Sequence, residues 1–386
     1  MKNRLKNNIK WVCLILPLFF LQVPVPCWAA EFHDTCEPAP HETEPSAWNF
    51  SGWIETGIML NQYGQKDTHT NGVFNPESGN TIHLENVRHS SFQVNQLWLQ
   101  LEKQRDRSRF DIGGLVDFNY GTHAFQAVGL DEGWGHGDYY VSLPQIYVEM
   151  GYGDFSISAG KFFTAMGLNS SYATKRFFYS TSYEFQTCTD YCAVFGTWDV
   201  NDSFSFFTGW TNGEERFFTD LKHNAFLGGL YWKVTPRFQI DYIISAGKNN
   251  GESKYLASSL LTSLKLGERW DYSILLLLRR VESLETPGSA GHNGRFGINQ
   301  ELYYTINDQW SLGLGVEWFK HYDNPADESY NIFACRFGVN WKANSRLTLR
   351  SEIRYDKFDG IQPFNLSNSS GKAGQFLFGL SAVMTF

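Results

Sequence analysis

The chain has 386 residues, and 32 Lys and Arg against 40 Asp and Glu give it a formal net charge of -8. An acidic chain without a basic patch argues against a nucleic-acid partner. Aromatic residues make up 17% and charged residues 19% of the chain, while the mean hydropathy is -0.34. After the N-terminal segment, no window reaches the roughly 18 consecutive apolar residues that a spanning helix needs. These values exclude a helical membrane protein.

Residues 1–30 have the pattern of a secretory signal peptide. An apolar run at 11–25 leads to a small-residue cleavage site at 27–30 (CWAA). A single membrane anchor is the alternative, but the apolar run is short and a Pro-rich stretch follows it. Removing this segment takes four positive charges away and moves the net charge from -8 to -12. The basic head before the apolar run consists of Lys2, Arg4, Lys6 and Lys10.

The segment 31–48 lacks periodicity and contains three Pro residues, so we predict a flexible periplasmic lead there. From residue 49 to the end, apolar and polar side chains alternate. In the first predicted strand, Phe50, Ile54 and Ile58 alternate with Ser51 and Glu55. A period of two places one row of side chains in lipid and the other in a lumen. The domain division is therefore 1–30 signal peptide, 31–48 lead and 49–386 transmembrane β-barrel.

Short polar turns and long polar segments follow one another along the rest of the chain. We predict seven turns, near 103–108, 151–154, 199–203, 235–237, 267–269, 307–309 and 343–345. Eight longer loops lie near 62–92, 121–142, 163–191, 211–224, 247–255, 281–293, 319–330 and 357–373. Together they predict an all-β antiparallel barrel of about sixteen strands, with short periplasmic turns and long extracellular loops. A soluble β-sandwich or propeller is the alternative, but it would not repeatedly expose apolar rows beside polar ones.

The last strand ends on an aromatic residue. Phe376, Phe378, Leu380, Met384 and Phe386 lie on one face of it. A terminal Phe on such a strand resembles the signal that the outer-membrane assembly machinery recognises. We therefore predict that machinery as a partner through Phe386, and the bacterial outer membrane, reached through the periplasm, as the location.

A barrel of sixteen strands leaves room for water unless something fills it. The alternation turns charged side chains of both signs toward this lumen, with acids mainly on early strands and Arg on late ones. The predicted pore-lining residues are Glu55, Glu102, Asp111, Asp117, Glu149, Arg279, Arg295, Arg336, Arg350 and Arg354. Opposed charged walls would screen permeants by charge. Pairing of these groups with one another is the alternative, and the two do not exclude each other.

The third long loop, 163–191, is too aromatic to lie in solvent. We predict that it folds into the lumen and constricts it, although packing over the rim or on another subunit is open. Its candidate residues are Lys175, Arg176, Phe177, Phe178, Tyr179 and Glu184. Cys188 and Cys192 in or beside this loop are candidates for a local disulfide in an oxidising compartment. Two thiols are too few ligands for zinc, and no sequence motif indicates a catalytic, cofactor or metal site.

Several segments resemble the OmpL-like family of β-barrel porins, also called beta-barrel porin 2. They are GWIE at 52–55, NQLWL at 95–99, GLVDFNYGT at 114–122, LPQIYVE at 143–149, GKFFTAMG at 160–167 and FFYS at 177–180. The resemblance implies an outer-membrane pore and leaves its permeant open.

We therefore predict a porin for passive diffusion of small hydrophilic solutes or ions, without enzymatic activity or cofactor. Its other partners are membrane lipid and, as a possibility left open, further copies of itself. The alternatives are a surface adhesin or receptor anchored by the barrel, and an outer-membrane hydrolase.

Overall fold

The computed structural model describes residues 48–386 except 65–79, 81–88, 125–134, 137, 187–189, 215–223, 250–252, 284–290, 324–327 and 365–370. The predicted signal peptide and nearly all of the predicted lead lie outside the described residues. No helix among the described residues is long and apolar enough to cross a membrane.

The described chain forms one closed antiparallel sheet. Its strands are β1 (Trp48–Asn61), β2 (Gln93–Lys103), β3 (Asp111–Gly121), β4 (Gly135–His136), β5 (Tyr139–Ser142), β6 (Ile146–Tyr152), β7 (Phe155–Phe163), β8 (Asp190–Asn201), β9 (Phe204–Glu214), β10 (Asn224–Thr235), β11 (Phe238–Asn249), β12 (Ser253–Leu266), β13 (Trp270–Ser283), β14 (Gly291–Thr305), β15 (Trp310–Asp323), β16 (Glu328–Lys342), β17 (Leu347–Asp359) and β18 (Gly374–Thr385). The sheet closes where β1 pairs with β18, with Trp53 opposite Thr385 and Asn61 opposite Leu377.

The barrel wall has the sixteen strands that the sequence predicts. β4 is a two-residue strand at the rim, and β5 and β6 both pair with β3, so they are two halves of one wall strand. The break between them contains Pro144, which has no N–H to donate to a ladder. At this break the carbonyl of Gln145 accepts the backbone N–H of Asp117 at 2.9 Å.

The predicted alternation is present around the ring. On β18, Phe376, Phe378 and Leu380 point outward and are about half exposed, while Gln375 and Leu377 point inward and are buried. The seven predicted short turns are confirmed, and all lie at one end of the barrel. Gly153 and Gly267 take positive φ values of 56° and 80° in two of them, a region that favours glycine because it has no β-carbon. Near these turns, outward-facing Trp232, Trp270, Trp310 and Trp341 form an interfacial girdle.

Candidate functional site: a segment inside the barrel

The segment between β7 and β8, described at residues 164–186, lies inside the barrel. Its residues hydrogen-bond to inward-facing side chains of β14 to β17 and of β1 to β3, which form one continuous arc of the wall through the seam between β18 and β1. Two short 3-10 turns, Ala173–Lys175 and Tyr183–Gln186, give it local structure. Because its aromatic side chains are mostly buried against the wall, the segment fills part of the lumen.

Tyr172 fixes the first half of the segment to the wall. Its hydroxyl donates to Asp117 at 2.7 Å, and Gln100 and Gln145 donate to that hydroxyl and to the same carboxylate. Trp53 and Trp98 stack on each other, and the Tyr172 ring packs edge-on against both of them. Gln145 comes from the interruption between β5 and β6, so the break in the wall supplies part of this anchor.

A buried carboxylate and two guanidinium groups make the second anchor. Glu55 on β1 accepts from Arg176 of the segment at 3.2 Å and from Arg350 on β17. Arg350 also donates to the carbonyls of Ala173 and Arg176 at 3.1 and 3.2 Å. All three charged side chains are at most 2% exposed, so each charge depends on the others for compensation.

Three consecutive aromatic residues of the segment lie over inward-facing glycines. A β-carbon on Gly313 of β15 would lie 2.4 Å from the Phe177 ring, and one on Gly379 of β18 would lie 2.9 Å from the Tyr179 ring. A β-carbon on Gly338 of β16 would lie 3.2 Å from both Phe177 and Phe178. Real carbon contacts are near 3.5–4.0 Å. The wall therefore has glycine where the rings approach its backbone, and we call these positions the glycine sockets: Gly57, Gly313, Gly315, Gly338 and Gly379.

Ser180 is the centre of a polar contact with the late strands. Its backbone N–H donates to Glu352 at 2.9 Å, and its hydroxyl also donates to that carboxylate. Arg354 donates to the Ser180 hydroxyl at 3.0 Å and to Asp356 at 2.8 Å. Arg336 donates to the Ser180 carbonyl at 3.3 Å, and its guanidinium lies 4.6 Å from the centre of the Phe178 ring.

Glu184 ties the segment to itself and to β14. One carboxylate oxygen accepts the backbone N–H groups of Leu168 and Asn169 at 3.1 and 2.6 Å, and the other accepts from Asn299 at 3.1 Å. Burial first, and then the carboxylate of Glu301, raise the pKa of Glu184 above its usual value. Glu301 is itself paired with Arg336 at 2.5 Å.

The opposite part of the inner wall carries an apolar cluster. Met166 and Leu168 of the segment belong to a buried cluster with inward-facing side chains of β8 to β13. The members from the wall include Phe207, Leu227, Ile243, Leu261, Leu275 and Leu277. Where the segment leaves β7, the buried Lys161 pairs with Asp190 of β8 at 2.7 Å. The segment thus contacts most of the circumference.

The structure brings together only some of the predicted pore residues. Glu55, Asp117, Arg336, Arg350 and Arg354 face the interior, but each is buried and bonded to the segment or to a neighbouring wall residue. The predicted separation of acidic and basic walls does not hold at the seam, because closure sets β1 beside β18 and lets Glu55 reach Arg350. Whether any of these groups touches a permeant stays a prediction.

The other predicted pore residues lie nearer the two ends. Asp111 pairs with Lys103 at 3.0 Å and Glu149 with Arg105 at 3.3 Å, both beside the short turn between β2 and β3. Arg279 and Arg295 are opposite each other on β13 and β14, toward the long-loop end. Glu102 is buried on the inner face of β2.

All six predicted constriction residues belong to the inserted segment. Phe178, Tyr179, Arg176 and Glu184 are buried in it, while Phe177 and Lys175 are partly exposed. Sequence reasoning missed Tyr172, Ser180 and the glycine sockets. Glycine at inward positions of strands was a usable signal, because such residues often mark the close approach of another chain segment.

The cysteine prediction stays untested, because Cys188 lies outside the described residues. Cys192 is buried at the start of β8. Within the described ranges, no group of three or more His, Cys, Asp or Glu side chains could hold a metal ion.

Comparison with known proteins agrees with this architecture. The family described as "Putative beta-barrel porin-2, OmpL-like" matches residues 47–386. No curated protein is similar enough in sequence to count as a match.

Among solved structures, the outer membrane channel DcaP of Acinetobacter baumannii is 10% identical with a TM-score of 0.62, covering 88% of this chain and 97% of that one. The anion-selective porin from Comamonas acidovorans is 8% identical with a TM-score of 0.57, covering 88% and 100%. OmpT of Vibrio cholerae, in a trimer form, is 13% identical with a TM-score of 0.58, covering 89% and 100%. At these identities the likeness concerns the fold.

Proposed function

Because the chain belongs to the OmpL-like family of β-barrel porins, we propose that the inserted segment sets the size of its passage for small hydrophilic solutes and ions. Family and fold make it a passive channel of the bacterial outer membrane. The proposal concerns how that channel is restricted.

The observation that carries the proposal is the two-sided attachment of residues 164–186. Sixteen strands enclose a lumen wide enough for a water-filled channel. The segment is hydrogen-bonded to Asp117 on β3 and Glu352 on β17, which lie on one arc of the wall, and its Met166 and Leu168 pack on the opposite arc, β8 to β13. A segment held at both sides keeps one position. It therefore narrows the passage permanently and does not move in and out of it.

The character of the solutes follows from the inner surface that the segment does not bury. Arg279 and Arg295 toward the long-loop end, and Lys265 and Asp271 toward the turn end, face inward and are partly exposed. Both signs of charge therefore occur along the route. We infer a preference for hydrated polar solutes over apolar ones, and we infer that the barrel catalyses no reaction; the porin family supports this second inference.

Planar-bilayer recording of the purified protein tests the proposal. We expect small stepwise currents from the wild type and larger steps when residues 171–182 are replaced by a short Gly-Ser linker. Gly196→Ala is the matched control, because Gly196 faces outward and a β-carbon there meets nothing closer than 3.5 Å. Absence of steps in both proteins would refute the channel; equal steps would refute the restricting role of the segment.

A further inference from the structure

The outer surface of the barrel carries a row of cations that the lumen does not explain. Lys248, Lys254, Arg280, Lys320 and Lys357 stand on the outward face of β11, β12, β13, β15 and β17. Each lies within four residues of the long-loop end of its strand. We call these five residues the outer basic rim.

Each cation stands directly above the lipid-facing band. Two positions farther into the wall on the same face, apolar or aromatic side chains follow. They are Ala246, Leu256, Leu278, Trp318 and Tyr355. A Lys or Arg stem can lie on such a side chain while its charged head reaches the headgroup level. The outer basic rim therefore lies at the height of the lipid headgroups, on the side away from the short turns.

Within the described residues, the charges of the rim are poorly compensated. Of the five rim cations, only Arg280 forms an ion pair with a described residue, Glu282, at 2.9 Å. Lys248 and Lys254 lie directly opposite each other in the ladder between β11 and β12. Like charges in that arrangement destabilise a sheet. On the outward face at the long-loop ends of these strands, the described carboxylates are Glu282 and Asp359.

The accumulation runs against the composition of the whole chain, whose net charge is -8. From the position, spacing and charge of these side chains we propose that the outer basic rim binds phosphate-bearing anionic lipid of the outer leaflet. The opposed Lys248 and Lys254, with Arg280 on the next strand, form the centre of the site. A headgroup phosphate between them would offset their repulsion, and its acyl chains would lie along Leu256 and Leu278.

Native mass spectrometry of the full-length, folded protein in detergent tests this proposal with two lipids of identical acyl chains. The probes are phosphatidylglycerol, which is anionic, and phosphatidylcholine, which has no net charge. We expect the wild type to retain phosphatidylglycerol preferentially. Each basic residue near an anionic surface strengthens binding by about fivefold, so Lys248→Gln, Lys254→Gln and Arg280→Gln combined should weaken retention on the order of 100-fold.

A matched triple variant distinguishes the loss of this site from a general loss of positive charge. Arg269→Gln, Lys342→Gln and Arg346→Gln remove the same number of exposed cations at the short-turn end. Unchanged lipid retention in this control and reduced retention in the rim variant are expected. Equal retention in both variants, or equal loss, would overturn the proposal.

Inorganic phosphate added in excess distinguishes a lipid site from a site for free anions. A lipid site gains from the apolar wall below it, so phosphate should displace little lipid. Full displacement of the lipid by the excess phosphate would overturn the lipid assignment. Heat-modified migration on gels, which reports the folded barrel, must be the same in all variants, and a rim variant that fails this check is replaced by Lys320→Gln with Lys357→Gln.

Discussion

Gly313→Ala should loosen the inserted segment without removing any of its polar contacts. Gly313 faces inward on β15, and its missing side chain makes room for Phe177. The new methyl would lie 2.4 Å from the ring, where carbon contacts are normally near 3.5–4.0 Å. The ring must therefore move by about 1 Å or more.

Phe177 has little freedom to make this movement. It stacks on Tyr303 at 4.8 Å and packs edge-on against Phe178 at 5.1 Å. Its carbonyl accepts from Asn340 at 3.0 Å. Overpacking of this kind costs about 1–3 kcal/mol, which raises the ratio of released to docked segment by about 5- to 150-fold.

Single-channel recording checks this expectation, because release should appear as larger or noisier open currents. Phe177→Ala alone also weakens docking, but in the Gly313→Ala background it removes the clash. The double variant should therefore be less disturbed than the sum of the single variants. Wild-type currents in Gly313→Ala would refute the role of Gly313 as a socket for Phe177. So would a double variant whose effect equals the sum of the two single effects. Gly196→Ala on the lipid side is the control and should give the same currents as the wild type.

Three further changes probe the seam, the pH response and assembly. Glu55→Gln leaves Arg176 and Arg350 buried without their shared carboxylate, so about 3–5 kcal/mol of stability should be lost in urea unfolding; adding Arg176→Gln should restore part of it, and a neutral single change would contradict the ion-pair account. The raised pKa of Glu184 means that the docked segment binds a proton more tightly than a released one, so docking strengthens as pH falls through that pKa and weakens above it. In Glu184→Gln the conductance should lose this pH dependence, and an unchanged slope would assign it elsewhere. Phe386→Ala should lower the amount of folded protein in the outer membrane while leaving single-channel conductance unchanged; a normal amount would show that the assembly machinery does not read this residue.

The wall of the barrel could be predicted from the sequence because its signal is local. Alternation of Phe376, Phe378 and Leu380 with inward side chains depends only on the pleat of one strand. Turns are equally local, since Gly153 and Gly267 mark positions that need positive φ. The interruption at Pro144 was harder to predict, because β5 before it and β6 after it are two short strands that together form one strand of the wall.

The contacts of the inserted segment could not be predicted in the same way. Glu55 and Arg350 are 295 positions apart, and their pairing depends on which strands closure makes neighbours. The alternation correctly predicted that both side chains face the lumen. It gives no information about how deeply they are buried or which residues cover them. For that reason Arg279 and Arg350 looked equivalent in the sequence, although Arg350 is buried under the segment and Arg279 is not.

The position of Glu55 at the junction of the first and last strands constrains how the protein is made. Among the wall strands, β1 is synthesised first and β17 next to last, while the middle of the chain supplies Arg176. If the ring sealed early, the aromatic stretch at 177–179 would have to thread through an already narrow mouth. Biogenesis is therefore expected to gather the segment while the sheet is still an open trough, so that sealing and filling occur as one event.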